Sequence, residues 1–354
     1  MIVKAGKSVG HMVALKADFR REVERERARA SAMRFGERHR ASMVTVDCPA
    51  CVAPHGESTP WAEIFGFQYT RCSTCRLVYL NPHPTAASLL DFYSGGEFTH
   101  YVAGVASEPE RLRLRLEQVV TPRIDFVLSF GPASRWLDLG AGTGDVVHGL
   151  RRFGVSALGV EPNSAAVAVA AAQYGLELVN ADLMAYVRQA HLADFDVVSL
   201  FGVLEHLARP DALMEVLGRG MRPGALAVFL VPVADSMSSF LQKRHPELLA
   251  RHAIPPAHVT LWGLTAMQAL LRRFGFEVAG HWSYGQDAFE LYYDLLPALE
   301  EPERVSLLSG MQTLQDAFDR MGFSDELLVV ARKRGEESEG DDHPEDGQRD
   351  APQT

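Results

Sequence analysis

Cys48, Cys51, Cys72 and Cys75 are the only cysteines of the 354-residue chain, and they form two C-x2-C pairs twenty residues apart. One tight turn can present two thiolates, and two such turns make a tetrahedral four-sulfur site. The spacing predicts a structural Zn2+, with iron in the same four-sulfur geometry as the alternative. No further donor is in reach to open a catalytic position. A stretch of about forty residues buries too little core to stand without such a clamp. A second constellation is the run "RWLDLGAGTGD", in which Gly140, Gly142 and Gly144 follow an apolar strand carrying Asp138. A glycine turn behind a strand cradles a ligand that approaches the backbone closely. A third is a pair of histidines, His206 in "VLEHLARP" and His258 in "PPAHVTLWG". Their unperturbed pKa suits proton transfer near neutral pH.

The turn excludes two ligands. A dinucleotide fingerprint needs a third glycine where Asp145 stands, and a phosphate-binding P-loop needs a lysine that is missing. An aspartate closing the turn also repels a pyrophosphate. Glu161 ends the next strand, where an acid can accept from both ribose hydroxyls. Asp182 follows the third predicted strand and can accept from an adenine amino group, with Leu183 packed on the ring.

The motifs "DLGAGTG", "VEP", "NADL" and "FDVVSLFGVLEHLARP" resemble the class I S-adenosylmethionine-dependent methyltransferases in order and spacing, over about Leu116 to Arg332. The resemblance implies that Asp138, Gly140, Gly142 and Gly144 face the methionine part of the cofactor and that Glu161 holds the ribose. It implies that Asp182 and Leu183 hold the adenine, and that Phe201 and Gly202 flank the transferred methyl. It also implies a Rossmann-like, doubly wound seven-stranded sheet whose last strand, "ELLVVARK", is antiparallel. The stretch "RCSTCRLVYLNPHPTAASLLDFY" resembles bacterial methyltransferases with a small N-terminal zinc-ribbon-like domain, among them sugar C-methyltransferases and enzymes of secondary-metabolite clusters. That likeness offers Tyr93, Phe98 and Tyr101 as pocket aromatics. It also implies a base near His258, although the glutamate that usually precedes it is alanine here.

Catalysis by methyl transfer requires alignment of a nucleophile and removal of its proton, and His258 and His206 are the candidates. The expected acceptor is a small molecule methylated on oxygen: a sugar, a nucleotide-linked sugar or a secondary metabolite. A sugar C-methyltransferase is the alternative, followed by an RNA methyltransferase with a zinc clamp and by a non-catalytic cofactor-binding protein. No carboxylate cluster of the magnesium-dependent catechol type appears.

These residues need positioning elements. Val- and Leu-rich runs alternate with amphipathic or alanine-rich segments from Arg135 to Lys333, the pattern of a parallel sheet covered on both faces. The organisation reads as a charged helical arm (1–43), a zinc domain (44–83) and a helical substrate-covering segment (84–130). A methyltransferase domain (131–333) and a disordered acidic tail (334–354) follow. Net charge is −10, with a surplus of six positive charges in 1–43 and of six negative charges in 334–354. An acidic body disfavours long nucleic acids as partners. No apolar run approaches the roughly 18–20 residues needed to span a membrane, and no signal core opens the chain, so a cytoplasmic protein is expected. The pattern sets no oligomeric state.

Overall fold

The computed structural model describes residues 1–7, 21–94, 109–247, 251–295 and 300–335. Phe98, Tyr101 and the acidic tail from residue 336 lie outside the described residues.

The chain builds two sheets. Their strands are β1 (Ile2–Ala5), β2 (Ser58–Ile64), β3 (Phe67–Cys72), β4 (Val78–Leu80), β5 (Arg135–Leu139) and β6 (Ser156–Val160). The remainder are β7 (Val197–Phe201), β8 (Leu226–Pro232), β9 (Thr260–Leu261), β10 (Phe276–Tyr284) and β11 (Glu326–Lys333). The large sheet has the order β1-β10-β11-β8-β7-β5-β6. Its pairs are parallel except where β11 runs antiparallel between β10 and β8. Strands β5, β7 and β8 are apolar nearly throughout because helices cover both faces; every residue of β8 is buried. A hydrogen-bond chain ties the centre together: Trp136 Nε1–H donates to Ser199 Oγ (2.7 Å), and Ser199 O–H donates to Asp138 Oδ1 (2.5 Å).

The seven strands are not the seven expected. "LELVNAD" contributes only an isolated parallel bridge, Val160 to Val179. Leu176 and Leu178 turn inward beneath the glycine turn, in a small cluster with Ala141, Val147 and Ala170. The seventh place is taken by β1, at the far edge. Residues 1–43 are therefore not a single arm. Ile2–Ala5 pairs with β10, and Lys4 Nζ sits 3.7 Å from the Trp282 ring centre. The helix Arg21–His39 is docked rather than free: Ala32 and Phe35 are buried, and Phe35 meets Phe92 edge-to-face at 5.9 Å. Pro122 stands in the first turn of the helix Thr121–Leu128. Helical turns run from Pro109 to Leu128, with a widened π turn at Leu116–Val120 just ahead of the proline that lacks an N–H.

The second sheet, β2-β3-β4-β9, is antiparallel and belongs to the cysteine region, but its last strand comes from far along the chain. Residues 44–83 are thus joined to the main domain by backbone pairing. The core is shared as well: Cys48, Cys72, Cys75, Leu77 and Tyr79 pack in one cluster with Leu200, Phe229 and Trp262. Arg273 Nη1 donates to the carbonyl of Ala50 (2.6 Å), and Arg71 forms a two-pronged ion pair with Asp235 (2.5 and 3.1 Å).

Candidate active site and metal centre

The two C-x2-C turns are built alike. Val52 N–H donates to the Cys48 carbonyl (2.9 Å) and Arg76 N–H to the Cys72 carbonyl (3.0 Å). Val52 and Arg76, each following a pair, both adopt positive φ, 57° and 66°. The four sulfurs lie within 4.8 Å of one another, with Cys48–Cys75 at 3.5 Å and Cys51–Cys72 at 3.6 Å. Tetrahedral bonds of about 2.3 Å to zinc place sulfurs about 3.8 Å apart, so the donor set fits that ion. The Cys75 sulfur, together with burial, pushes the Cys48 thiol far up; only a bound cation makes a thiolate cluster stable there.

The backbone geometry of the turn carries a prediction. A β-branched residue at positive φ is strained by about 1–3 kcal/mol, and the Val52 side chain is exposed. Val52→Gly should raise the melting temperature of the metal-loaded protein, by about 1 kcal/mol of stability after glycine's own entropic cost. Unchanged or lower melting would show that the turn holds Val52 without strain.

The glycine turn sits at the carboxyl end of β5. Gly140, Gly142 and Gly144 all have positive φ. A Cβ at Gly140 would stand 2.5 Å from Val203 Cγ2, and one at Gly144 2.7 Å from Leu176 Cδ1, whereas Gly142 faces open space. Two glycines are thus needed for packing, and the middle one leaves room for a ligand. Glu161 closes the turn: Gly142 N–H donates to its Oε2 and Asn163 N–H to its Oε1, both at 2.8 Å. Asp138 is buried, and burial pushes its carboxyl up to about 7. Asp182 caps the helix Leu183–Val187 through Ala185 N–H (2.8 Å), with Leu183 buried beneath it. Phe201 ends β7 and Gly202 follows it, and the Gly202 N–H donates to the Leu230 carbonyl (3.0 Å).

Sequence reading used Asp145 only to exclude a pyrophosphate and missed its bracing role. Its buried carboxylate accepts from Arg115 Nε, from Tyr174 O–H (2.9 Å) and from Thr143 O–H (3.2 Å), so it braces the turn from behind.

The two histidines meet. The rings of His206 and His258 lie 4.8 Å apart, and both stand beside Glu205. His258 Nδ1–H donates to the His252 carbonyl (2.7 Å). His206 Nδ1 lies 2.7 Å from the Ala257 carbonyl and 2.8 Å from the Tyr93 hydroxyl. A carbonyl only accepts, so each ring carries its proton on Nδ1 and presents the Nε2 lone pair inward. Burial lowers His206 to about 4. Burial, then His206 and His252, hold His258 well below the usual range. Burial pushes Glu205 up to about 8, and its Oε2 has no hydrogen-bond partner among the described residues.

The cysteine sheet positions this cluster. Tyr69 O–H donates to the His258 carbonyl (2.6 Å), Leu80 N–H to the Val259 carbonyl (2.9 Å) and Val259 N–H to the Glu205 carbonyl (2.8 Å). The segment is held from its other end by Arg251 on Asp325 (2.8 Å), with His252 Nε2 3.2 Å from the same carboxylate.

Residues 110–281, which span the turn and both histidines, match the family model described as a methyltransferase domain. That likeness to a methyltransferase domain covers 172 of the 354 residues. Over 133 residues the chain is 29% identical to the ubiquinone biosynthesis O-methyltransferase of Hahella chejuensis, covering 36% of this chain and 55% of that protein. The match thus spans about half the length of that relative. Among solved structures, the S-adenosylmethionine-dependent methyltransferase of Archaeoglobus fulgidus is 18% identical with a TM-score of 0.45, covering 63% of this chain and 97% of the other. The magnesium protoporphyrin IX methyltransferase of Synechocystis, with bound S-adenosylhomocysteine, is 14% identical with a TM-score of 0.43, covering 68% and 94%. No described helix is long and apolar enough to cross a membrane. In this methyltransferase domain, the glycine turn and the Glu205–His206–His258 cluster both lie at the carboxyl edge of the sheet, where open α/β folds bind ligands.

Proposed function

We propose that the chain transfers a methyl group from S-adenosylmethionine to a hydroxyl oxygen of a small-molecule acceptor, a sugar, nucleotide-linked sugar or secondary metabolite. The observation that carries this reading is the open turn at Gly142, closed by Glu161, at the same sheet edge as two histidines with inward lone pairs. The cofactor supplies an activated methyl on a sulfonium. Asp138 and the turn glycines take its methionine part. Glu161 takes the ribose, since each carboxylate oxygen keeps a lone pair beyond the amide it already accepts. Asp182 takes the adenine with the oxygen not used in capping, over Leu183. Phe201 and Gly202 border the methyl. The acceptor oxygen forms the new bond to carbon, the C–S bond pair returns to sulfur, and the hydroxyl proton goes to Nε2 of His258 or His206. The four cysteines hold a structural zinc. The oxygen acceptor is favoured by the likeness to an O-methyltransferase.

Calorimetry tests the cofactor. Glu161→Ala should weaken S-adenosylmethionine binding by removing two charge-assisted bonds, about 1.5–3 kcal/mol each, roughly tenfold or more per bond. Melting of the variant without ligand separates lost binding from a loosened turn. Saturable NADH binding with no response to S-adenosylmethionine would end the reading.

A further inference from the structure

Glu205, His206 and His258 place three electron-pair donors within 4.8 Å of one another, with His206 Nε2 4.0 Å from Glu205 Oε1. His206 Nδ1 and His258 Nδ1 each face a backbone carbonyl, and Glu205 Oε2 is buried without a hydrogen-bond partner among the described residues. A single cation can bind all three at once. One proton can bridge only two of them.

We propose that Glu205, His206 and His258 form a second metal site, distinct from the four-cysteine centre, for a divalent first-row cation. Two imidazoles and one carboxylate are borderline ligands that suit Mn2+, Fe2+, Co2+ or Zn2+ and leave coordination positions open. Both imidazoles already donate their other N–H to a backbone carbonyl, the arrangement that fixes the tautomer and orientation of metal-binding histidines. Bonds of about 2.1 Å draw ligand atoms to about 3.4 Å apart in a tetrahedral site, so the triad needs only a small inward closure from its present spacing. The four-thiolate centre is closed and soft; this one is partly exposed through the His206 side chain (20%) and is hard enough to accept an oxygen ligand.

The role of the cation rests on the methyl-transfer reading; its binding does not. At an open position it takes the acceptor hydroxyl and lowers its pKa. The hydroxyl proton then leaves to water, because both Nε2 lone pairs are occupied, and the oxygen attacks the methyl as before.

The test uses full-length protein carrying one zinc per chain, so that only the four-cysteine centre is filled, and Mn2+, a cation that avoids thiolates. Mn2+ is titrated by electron paramagnetic resonance into wild type, Glu205→Gln and His258→Asn, with melting curves to establish that each variant is folded and S-adenosylmethionine calorimetry on the same samples. The expected result is one saturable Mn2+ per chain in wild type, weakened at least about tenfold in both variants, with zinc content and cofactor affinity unchanged. No saturable Mn2+ in folded wild type, or equal affinity in all three proteins, overturns the site. Should Glu205→Gln fail to fold, His258→Asn and the nitrogen hyperfine couplings of bound Mn2+ decide alone. Loss of cofactor binding with Mn2+ binding intact counts against methyl transfer and not against the metal site.

Discussion

Wild-type protein should carry about one tightly held zinc per chain by elemental analysis, and Cys72→Ser should lose nearly all of it and melt far lower. Three of the four thiols are buried, and three belong to the core that includes Trp262 and Phe229. Without a cation, that core holds protonated thiols whose sulfurs lie 3.5–3.6 Å apart with nothing to bond them together. Structural zinc supplies about 10–16 kcal/mol to isolated zinc modules. The loss here is smaller, several kcal/mol, because β9, Arg273 and Arg71 also hold the region to the main domain. The damage should spread to His258, whose carbonyl hangs from Tyr69 on β3 and whose neighbours pair with β4. Cys72→Ser should therefore lose turnover beyond what its unfolded fraction explains. Metal-free protein with unchanged melting would refute the clamp.

Sequence reached the glycine turn, Glu161 and the four cysteines because each is a local pattern. Spacing of a few residues fixes a turn, and the turn fixes the chemistry. It failed where the deciding partner is remote. β1 carries no sign of burial, since all four residues are exposed; only Gly280 opposite, where a Cβ would meet the Ile2 carbonyl at 2.4 Å, lets the strand approach. "LELVNAD" reads as a strand because it is apolar, yet two of its leucines serve to pack the turn instead. The docking of the helical arm and of the cysteine region is hidden from sequence for the same reason. Phe35 finds Phe67 and Phe92, and β4 finds β9 from 180 residues further on, contacts to which no periodicity points. Glu205 carries no local signal beyond its place beside His206; its unpartnered oxygen is visible only once the burial of its surroundings is known.

His258→Ala should lower turnover by roughly 10²- to 10⁴-fold, the range for removing a proton acceptor, with S-adenosylmethionine affinity nearly unchanged. The side chain lies past the ends of β7 and β8, while the turn, Glu161 and Asp182 sit on the β5–β6 side. The pH profile has a definite sign. Burial lowers both imidazoles below 6.5, so they are already neutral at pH 7, and wild-type turnover should stay level through pH 6.5. At these two histidines the unfolded chain binds more protons than the folded one below 6.5, down to about 4 for His206, so their contribution to stability falls as pH drops, while the raised carboxyls of Glu205 and Asp138 contribute in the opposite sense. His206→Ala separates the two ways the cluster can work. If His258 alone takes the proton, His206→Ala slows the reaction much less, acting through pocket shape. If one cation spans both rings, the two variants fall together and both lose Mn2+. If neither slows turnover by more than about tenfold, about 1.4 kcal/mol, the cluster takes no part in proton removal, and alignment of cofactor and acceptor carries the reaction.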